Sequence, residues 1–160
     1  MGLVLDLLRH GLSVPAGPGG DRLRELSEQG TSDLTALGRH LAGESWRPDR
    51  ILASPYRRTL ASAMLVTRTA GVTAPIEPLA ALEPERDPEA VLTVLATLGP
   101  ADGHVLLVGH QPLLGLLVGR LTGTGRSLAA GTLLRLECAG AADRGGRVVR
   151  VLAPGELERS

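Results

Sequence analysis

Residues 104–112 read HVLLVGHQP, a continuous apolar run that ends in Gly109, His110, Gln111 and Pro112. Such a run without alternation predicts a strand buried on both faces, the kind found in parallel sheets. Pro112 then opens a helix over LLGLLVGRLTG, because proline suits a first helical turn and lacks only a donor that the turn leaves unused. Two shorter apolar runs lie upstream, LVLDLL at 3–8 and RILASP at 50–55. Each is followed by a loop and a helix. The first helix falls within LSEQGTSDLTALGRHLAG, where Ser27 or Thr31 can cap it, Leu34, Leu37 and Leu41 share a face, and Gly43 ends it. The second runs through PYRRTLASAMLVTRTAG, with Pro55 in its first turn and Gly71 at its end. APIEPLAAL reads as a short third strand. DPEAVLTVLATLG reads as a helix with Asp87 as N-cap, Pro88 at the first position and Gly99 at the end. TLLRLECAG and RVVRVLAP form an antiparallel hairpin whose polar side is marked by Arg135, Arg147 and Arg150. This order predicts an α/β chain, a three-layer α/β/α sandwich with a mostly parallel mixed sheet, as one domain over residues 1–160.

The composition supports a core built from aliphatic residues. Of 160 residues 43 % are hydrophobic, yet only 1 % are aromatic and phenylalanine is absent. All 17 basic residues are arginine and they balance 17 acidic ones, so a general nucleic-acid binder, with its basic excess, is disfavoured. A local anion site is not. One cysteine, Cys138, excludes an internal disulfide and sits in a strand as a buried thiol. No apolar stretch is long enough to span a bilayer. Asp6 and Arg9 interrupt the first apolar run, which lacks the pattern of a signal peptide, so the cytoplasm is the expected compartment.

In an open α/β sheet, ligands bind beyond the carboxyl ends of the strands. Three such ends carry polar groups here: Arg9-His10-Gly11, Ser54-Pro55-Tyr56-Arg57-Arg58, and Gly109-His110-Gln111-Pro112. Taken singly, each has an ordinary structural role. If the strands are parallel neighbours, two histidines and at least two arginines meet, and two of the segments open helices whose free N–H groups favour phosphate. His40 and His104 carry only a structural reading, one within a helix and the other at the start of a strand.

RHG after the first strand, SPYRR after the second and VGHQP late in the chain resemble, in this order, the histidine phosphatase superfamily. The resemblance runs over roughly residues 3–138 and implies the phosphoglycerate mutase-like fold. The short length, DRLRELSEQG and AGTLLRLE make the chain similar to the SixA-type phosphohistidine phosphatase branch. The resemblance implies His10 as the nucleophile, Arg9 and Arg58 as phosphate-binding arginines with Arg57 the adjacent alternative, and His110 as the second pocket histidine. It implies no cofactor and no metal, and no metal-ligand spacing such as H-E-x-x-H is present. Two positions depart from the family. Ala61-Ser62 stands where the family often has Gln-Thr, and Leu12 replaces a polar residue common after RHG in the larger enzymes.

The chemistry explains these residue types. A neutral imidazole can attack phosphorus in line, giving a phosphohistidine that water hydrolyses. Arginine forks suit the charge spread over the equatorial oxygens. His10 must be neutral to attack, while His110 would bind phosphate best as a cation, an arrangement that predicts a bell-shaped pH profile. A leaving alkoxide needs an acid, for which Glu83 is the candidate, with Glu85 and Asp87 behind it. A leaving imidazole does not. The expected substrate is a phosphorylated protein carrying phosphohistidine, or alternatively a small phosphoester, with no nucleic-acid or membrane partner.

Overall fold

Leu3–Arg9 form the strand on which the sheet is centred, β1. The computed structural model describes residues 2–98, 103–141 and 144–157, and the elements follow in chain order. They are α1 (Glu28–Ala42), β2 (Arg50–Ala53), α2 (Arg57–Ala70), β3 (Ile76–Pro78), α3 (Pro88–Thr97), β4 (Gly103–Gly109), α4 (Leu113–Thr122), β5 (Leu133–Cys138), β6 (Arg147–Leu152) and the short α5 (Pro154–Leu157). The sheet order is β3-β2-β4-β1-β5-β6. β1 to β4 are parallel to one another, and β5 and β6 run antiparallel at one side, so the sheet is mixed as expected.

Alternation along β1 divides the core. Leu3, Leu5 and Leu7 pack with Val91, Leu92 and Leu95 of α3 and Leu113, Leu114 and Leu117 of α4. Leu8 packs on the other face with Leu34, Leu37 and Leu41 of α1 and Ala63 and Val66 of α2. Two helices therefore cover each face. Each fully buried leucine contributes about 1.5–3 kcal/mol, which is how a chain without phenylalanine closes its core.

Helix boundaries follow local chemistry. The Ser27 hydroxyl accepts a hydrogen bond from Gly30 N at 3.0 Å and starts α1. Asp87 caps α3 through Glu89 N at 2.9 Å, with Pro88 next. The expected stop at Gly99 lies outside the described residues, as does part of the turn between β5 and β6. Pro55 sits ahead of α2 instead of within its first turn, with Tyr56 as the N-cap. The Thr59 hydroxyl donates to Ser54 O at 2.7 Å and ties that helix start to the end of β2. The third strand is shorter than APIEPLAAL suggests. Pro78 has no N–H for a ladder, so β3 stops there on the sheet edge and Ala80–Leu82 form a 3₁₀ turn.

One polar cluster crosses the core. Asp6 in β1 is fully buried, and its carboxylate accepts two hydrogen bonds from Arg135, at 2.8 and 2.9 Å. Trp46 Nε1 donates to it at 2.7 Å, and His104 Nε2 lies 2.5 Å away. Burial alone would raise the Asp6 pKa, but Arg135, His104 and Trp46 outweigh it and hold the group at about 2. Arg135 stands opposite Arg150, and Glu137 opposite Arg147, so the three arginines share one side of the hairpin as expected, and from there Arg135 reaches the buried Asp6. The other two hairpin arginines bind carboxylates, Arg147 that of Glu137 and Arg150 that of Glu44.

Candidate active site

The sheet register decides where the polar strand ends meet. Arg9 of β1 lies opposite Gly109 of β4, and Ala53 of β2 opposite Val108. His10, His110 and Ser54 therefore leave neighbouring strands at one level. The backbone holds them there: His10 N donates to Gly109 O and Ser54 N to Val108 O, at 3.1 and 3.0 Å. A cavity of about 260 Å³ opens at this level, lined by Arg9, His10, Arg58 and His110 and completed by Leu12, Ser13, Arg24, Pro84, Gln111 and Ala130.

His10 lies between a backbone acceptor and an arginine. Its Nδ1 is 2.8 Å from Gly11 O, a contact only a protonated Nδ1 can make. Nε2 thus carries the lone pair, and Arg58 Nε donates to it at 3.3 Å. His110 has the opposite tautomer. Its Nδ1 faces Arg58 Nη2 at 3.4 Å, and arginine has no acceptor. His110 Nε2 therefore carries the proton and donates to Ser54 Oγ at 2.8 Å. The two rings stand 5.3 Å apart.

Burial dominates the titration of both histidines. It pushes His10 down to about 4, partly opposed by the Gly11 carbonyl and reinforced by Arg58, Arg9 and Arg24. Burial also pushes His110 down to about 3, reinforced by His10 and Arg58. Both rings are neutral at pH 7. Where a cationic His110 was expected to bind phosphate best, low exposure and nearby cations favour the neutral ring.

Of the two adjacent arginines, Arg58 points inward and is nearly buried, whereas Arg57 is exposed and pairs with Glu25 at 3.1 Å. Arg9 Nη1 donates to Leu128 O at 2.8 Å, and its buried Nε makes no hydrogen bond among the described residues. Leu128 is a core residue, so the loop before β5 is anchored where its carbonyl can hold Arg9.

Glu83 is not brought into the quartet. Its carboxylate pairs with Arg86 at 2.8 Å and Arg22 at 3.2 Å, and Pro84 lines the cavity in its place. The Arg86 hydrogen bond, against a smaller cost of burial and with help from Arg22, holds Glu83 below the usual carboxylate range. Asp87 is occupied as the cap of α3.

Several neighbours were not singled out by the sequence. Tyr56 sets its ring edge against His110 at 5.2 Å, with the guanidiniums of Arg22 and Arg58 over the ring at 4.9 and 5.3 Å. From the loop after β1 Asp21 reaches Arg58, and Arg24 binds Asp21 and lines the cavity. Tyr56 lies inside SPYRR and could have been found from that segment. Asp21 and Arg24 lie inside DRLRELSEQG, which carried the likeness to the SixA-type branch, but no role was read for either.

A model of the histidine phosphatase superfamily (branch 1) matches residues 5–87, just over half of the chain. The chain belongs to the histidine phosphatase superfamily. Among solved structures it is similar to the protein histidine phosphatase SixA complexed with tungstate, with a TM-score of 0.88 and 23 % identity over 96 % of this chain and 99 % of that one. A protein from Agrobacterium tumefaciens provisionally assigned as the phosphohistidine phosphatase SixA matches with a TM-score of 0.82 and 23 % identity, over 96 % and 99 % of the two chains. A phosphoglycerate mutase from Bacillus anthracis matches with a TM-score of 0.68 and 14 % identity, over 98 % and 96 %. No curated protein sequence matches the chain significantly. The sheet is therefore that of the histidine phosphatase, phosphoglycerate mutase-like fold.

Within this histidine phosphatase, the departure at Ala61-Ser62 has a physical account. Ser62 Oγ accepts from Gly11 N at 3.0 Å and donates to Arg58 O at 2.6 Å. One hydroxyl thus joins the turn after His10 to the helix that carries Arg58. A Cβ on Gly11 would stand 2.8 Å from Leu34 Cδ1 of α1, so Leu34 would have to shift to admit one.

Proposed function

We propose that this histidine phosphatase removes the phosphoryl group from a phosphohistidine carried by a protein, through a phosphohistidine intermediate on His10. The observation that carries the reading is the fixed tautomer of His10, with Nδ1 bound to Gly11 O and the Nε2 lone pair facing Arg58. When the phosphoryl oxygens take over the Arg58 N–H donors, the Nε2 lone pair is freed. It attacks phosphorus, the bond from phosphorus to the substrate nitrogen breaks, and the substrate imidazole leaves. If its other nitrogen is protonated, it leaves neutral and needs no acid. Water then attacks the phosphorus on His10, and the Nε2–phosphorus bond breaks to release orthophosphate. Arg9 and Arg58 neutralise the equatorial oxygens in both steps, and the unpartnered Arg9 Nε is a donor that an oxyanion satisfies.

Two features support a protein-borne phosphohistidine. Glu83, the acid that an alkoxide would need, is held as a carboxylate between two arginines. The loop bordering the cavity exposes Leu12, Val14 and Leu23, apolar surface that a protein partner can cover.

The test compares phosphate release from a phosphohistidine protein and from a panel of small phosphoesters, using the parent, His10→Ala and Glu83→Gln. We expect the phosphohistidine protein to be preferred and His10→Ala to lose on the order of 10³-fold or more. Equal rates for parent and His10→Ala would overturn the nucleophile. Glu83→Gln should keep the rate, whereas a loss of about 10²-fold, the usual worth of a general acid, together with preference for an ester would establish the phosphomonoester reading.

A further inference from the structure

Arg58 is almost buried, yet two of its nitrogens bind a residue outside the core. Asp21 follows Gly20, whose φ of +80° turns the chain back toward the pocket. From there Asp21 contacts two arginines. Its backbone carbonyl accepts from Arg58 Nη1 at 2.8 Å, and Oδ2 accepts from Arg58 Nη2 at 3.2 Å. Oδ1 accepts from Arg24 Nη1 at 3.1 Å, and Arg24 Nε is itself held by Val14 O at 2.8 Å. The Tyr56 ring lies beneath the guanidinium of Arg58.

We propose that Asp21 is a positioning residue, whose carboxylate and carbonyl fix the rotation of Arg58 so that its N–H edge faces the place of the transferring phosphoryl group beside His10 Nε2. This role rests on the phosphatase reading above. Asp21 holds both Nη atoms, and Nη2 also faces His110 Nδ1. Nε lies 3.3 Å from His10 Nε2, where a phosphoryl oxygen takes the ring nitrogen's place as its acceptor. Asp21 touches no reacting atom. Its effect passes through the guanidinium plane, and misplacement by about 1 Å in such a group can cost on the order of 10² in rate.

Charge and position act in opposite directions, and this separates the role from a merely structural one. As a negative charge beside two cations, Asp21 opposes the binding of another anion. As an anchor, it aids turnover. The experiment measures kcat and KM on a phosphohistidine protein, orthophosphate affinity by calorimetry, and melting temperature, for the parent, His10→Ala, Asp21→Ala and Asp21→Asn. We expect Asp21→Ala to lower kcat by about tenfold or more while orthophosphate affinity is kept or strengthened and the melting temperature is kept. Asp21→Asn, with an amide oxygen still able to accept, should recover part of kcat. A kcat for Asp21→Ala within about twofold of the parent would overturn the role. So would a loss of kcat matched by equal losses of orthophosphate affinity and melting temperature, since that is loop collapse. Parent activity no higher than that of His10→Ala would overturn the phosphatase reading, and this role with it.

Discussion

His10 and His110 are buried in a pocket with Arg9 and Arg58, so a proton added to either ring is poorly solvated and joins the cations already present. Each ring therefore holds its neutral form well below the usual histidine range. The consequence for rate concerns the free enzyme, whose ionisations govern kcat/KM. Once the substrate's own ionisation is allowed for, kcat/KM should pass through pH 6.5 without a limb and fall as pH drops through about 4, where His10 is protonated. A limb near 6.5 in that profile would contradict the burial of the nucleophile. The same depressed values act on stability. Between pH 6.5 and the folded values of about 4 and 3, the unfolded chain binds protons that the folded chain refuses. Stability is thus full above 6.5 and is lost as the pH falls toward those values. At this scale the sequence was legible for residues that end strands, because an apolar run leading into Arg9-His10 or Gly109-His110 is a local signal. It gave no role to Asp21 and Arg24, although both stand in the DRLRELSEQG segment that resembles the SixA-type branch. Their loop has no periodicity, and Arg58, the partner that gives Asp21 its place, lies far along the chain.

The helix α1 carries no residue of the quartet, yet it supports the turn that follows His10. Its Gly30 meets that turn so closely that a Cβ would stand 2.1 Å from Leu12 O, a backbone atom. Leu12 O also accepts from Ser27 N and the Ser27 hydroxyl, at 2.9 and 3.2 Å, so the helix start and the turn form one unit. Gly30→Ala must push α1 and the turn apart. We expect it to cost about 1–3 kcal/mol of stability, the usual result of overpacking, and to lower phosphatase activity although no pocket residue changes. Denaturant unfolding measures the first and phosphate release the second. Unchanged stability would mean that the turn yields freely. The helices themselves were readable from caps and from leucine spacing, because those signals are local. The close contact of Gly30 with Leu12 was not, since a glycine in a helix gives no sign of what it touches.

Across the whole molecule, the mixed sheet was legible from the order of strand and helix signals, and the convergence of three ends followed once the strands were taken as parallel neighbours. The Asp6 cluster was hidden because its members come from distant segments and each alone reads as a surface charge or a satisfied ring. That cluster also places the chain's single tryptophan. Trp46 is bound at the middle of β1, four residues before His10 and hence about 13 Å along the strand. The single tyrosine, Tyr56, lies against His110 beneath Arg58. The protein thus carries two separate optical reporters, one for the state of the fold and one for occupancy of the pocket. Titration with orthophosphate should change the tyrosine bands of the near-ultraviolet circular dichroism and leave tryptophan emission constant. Equal movement of both would mean that occupancy is felt through the sheet. No label would be needed to follow binding and unfolding side by side in a single sample.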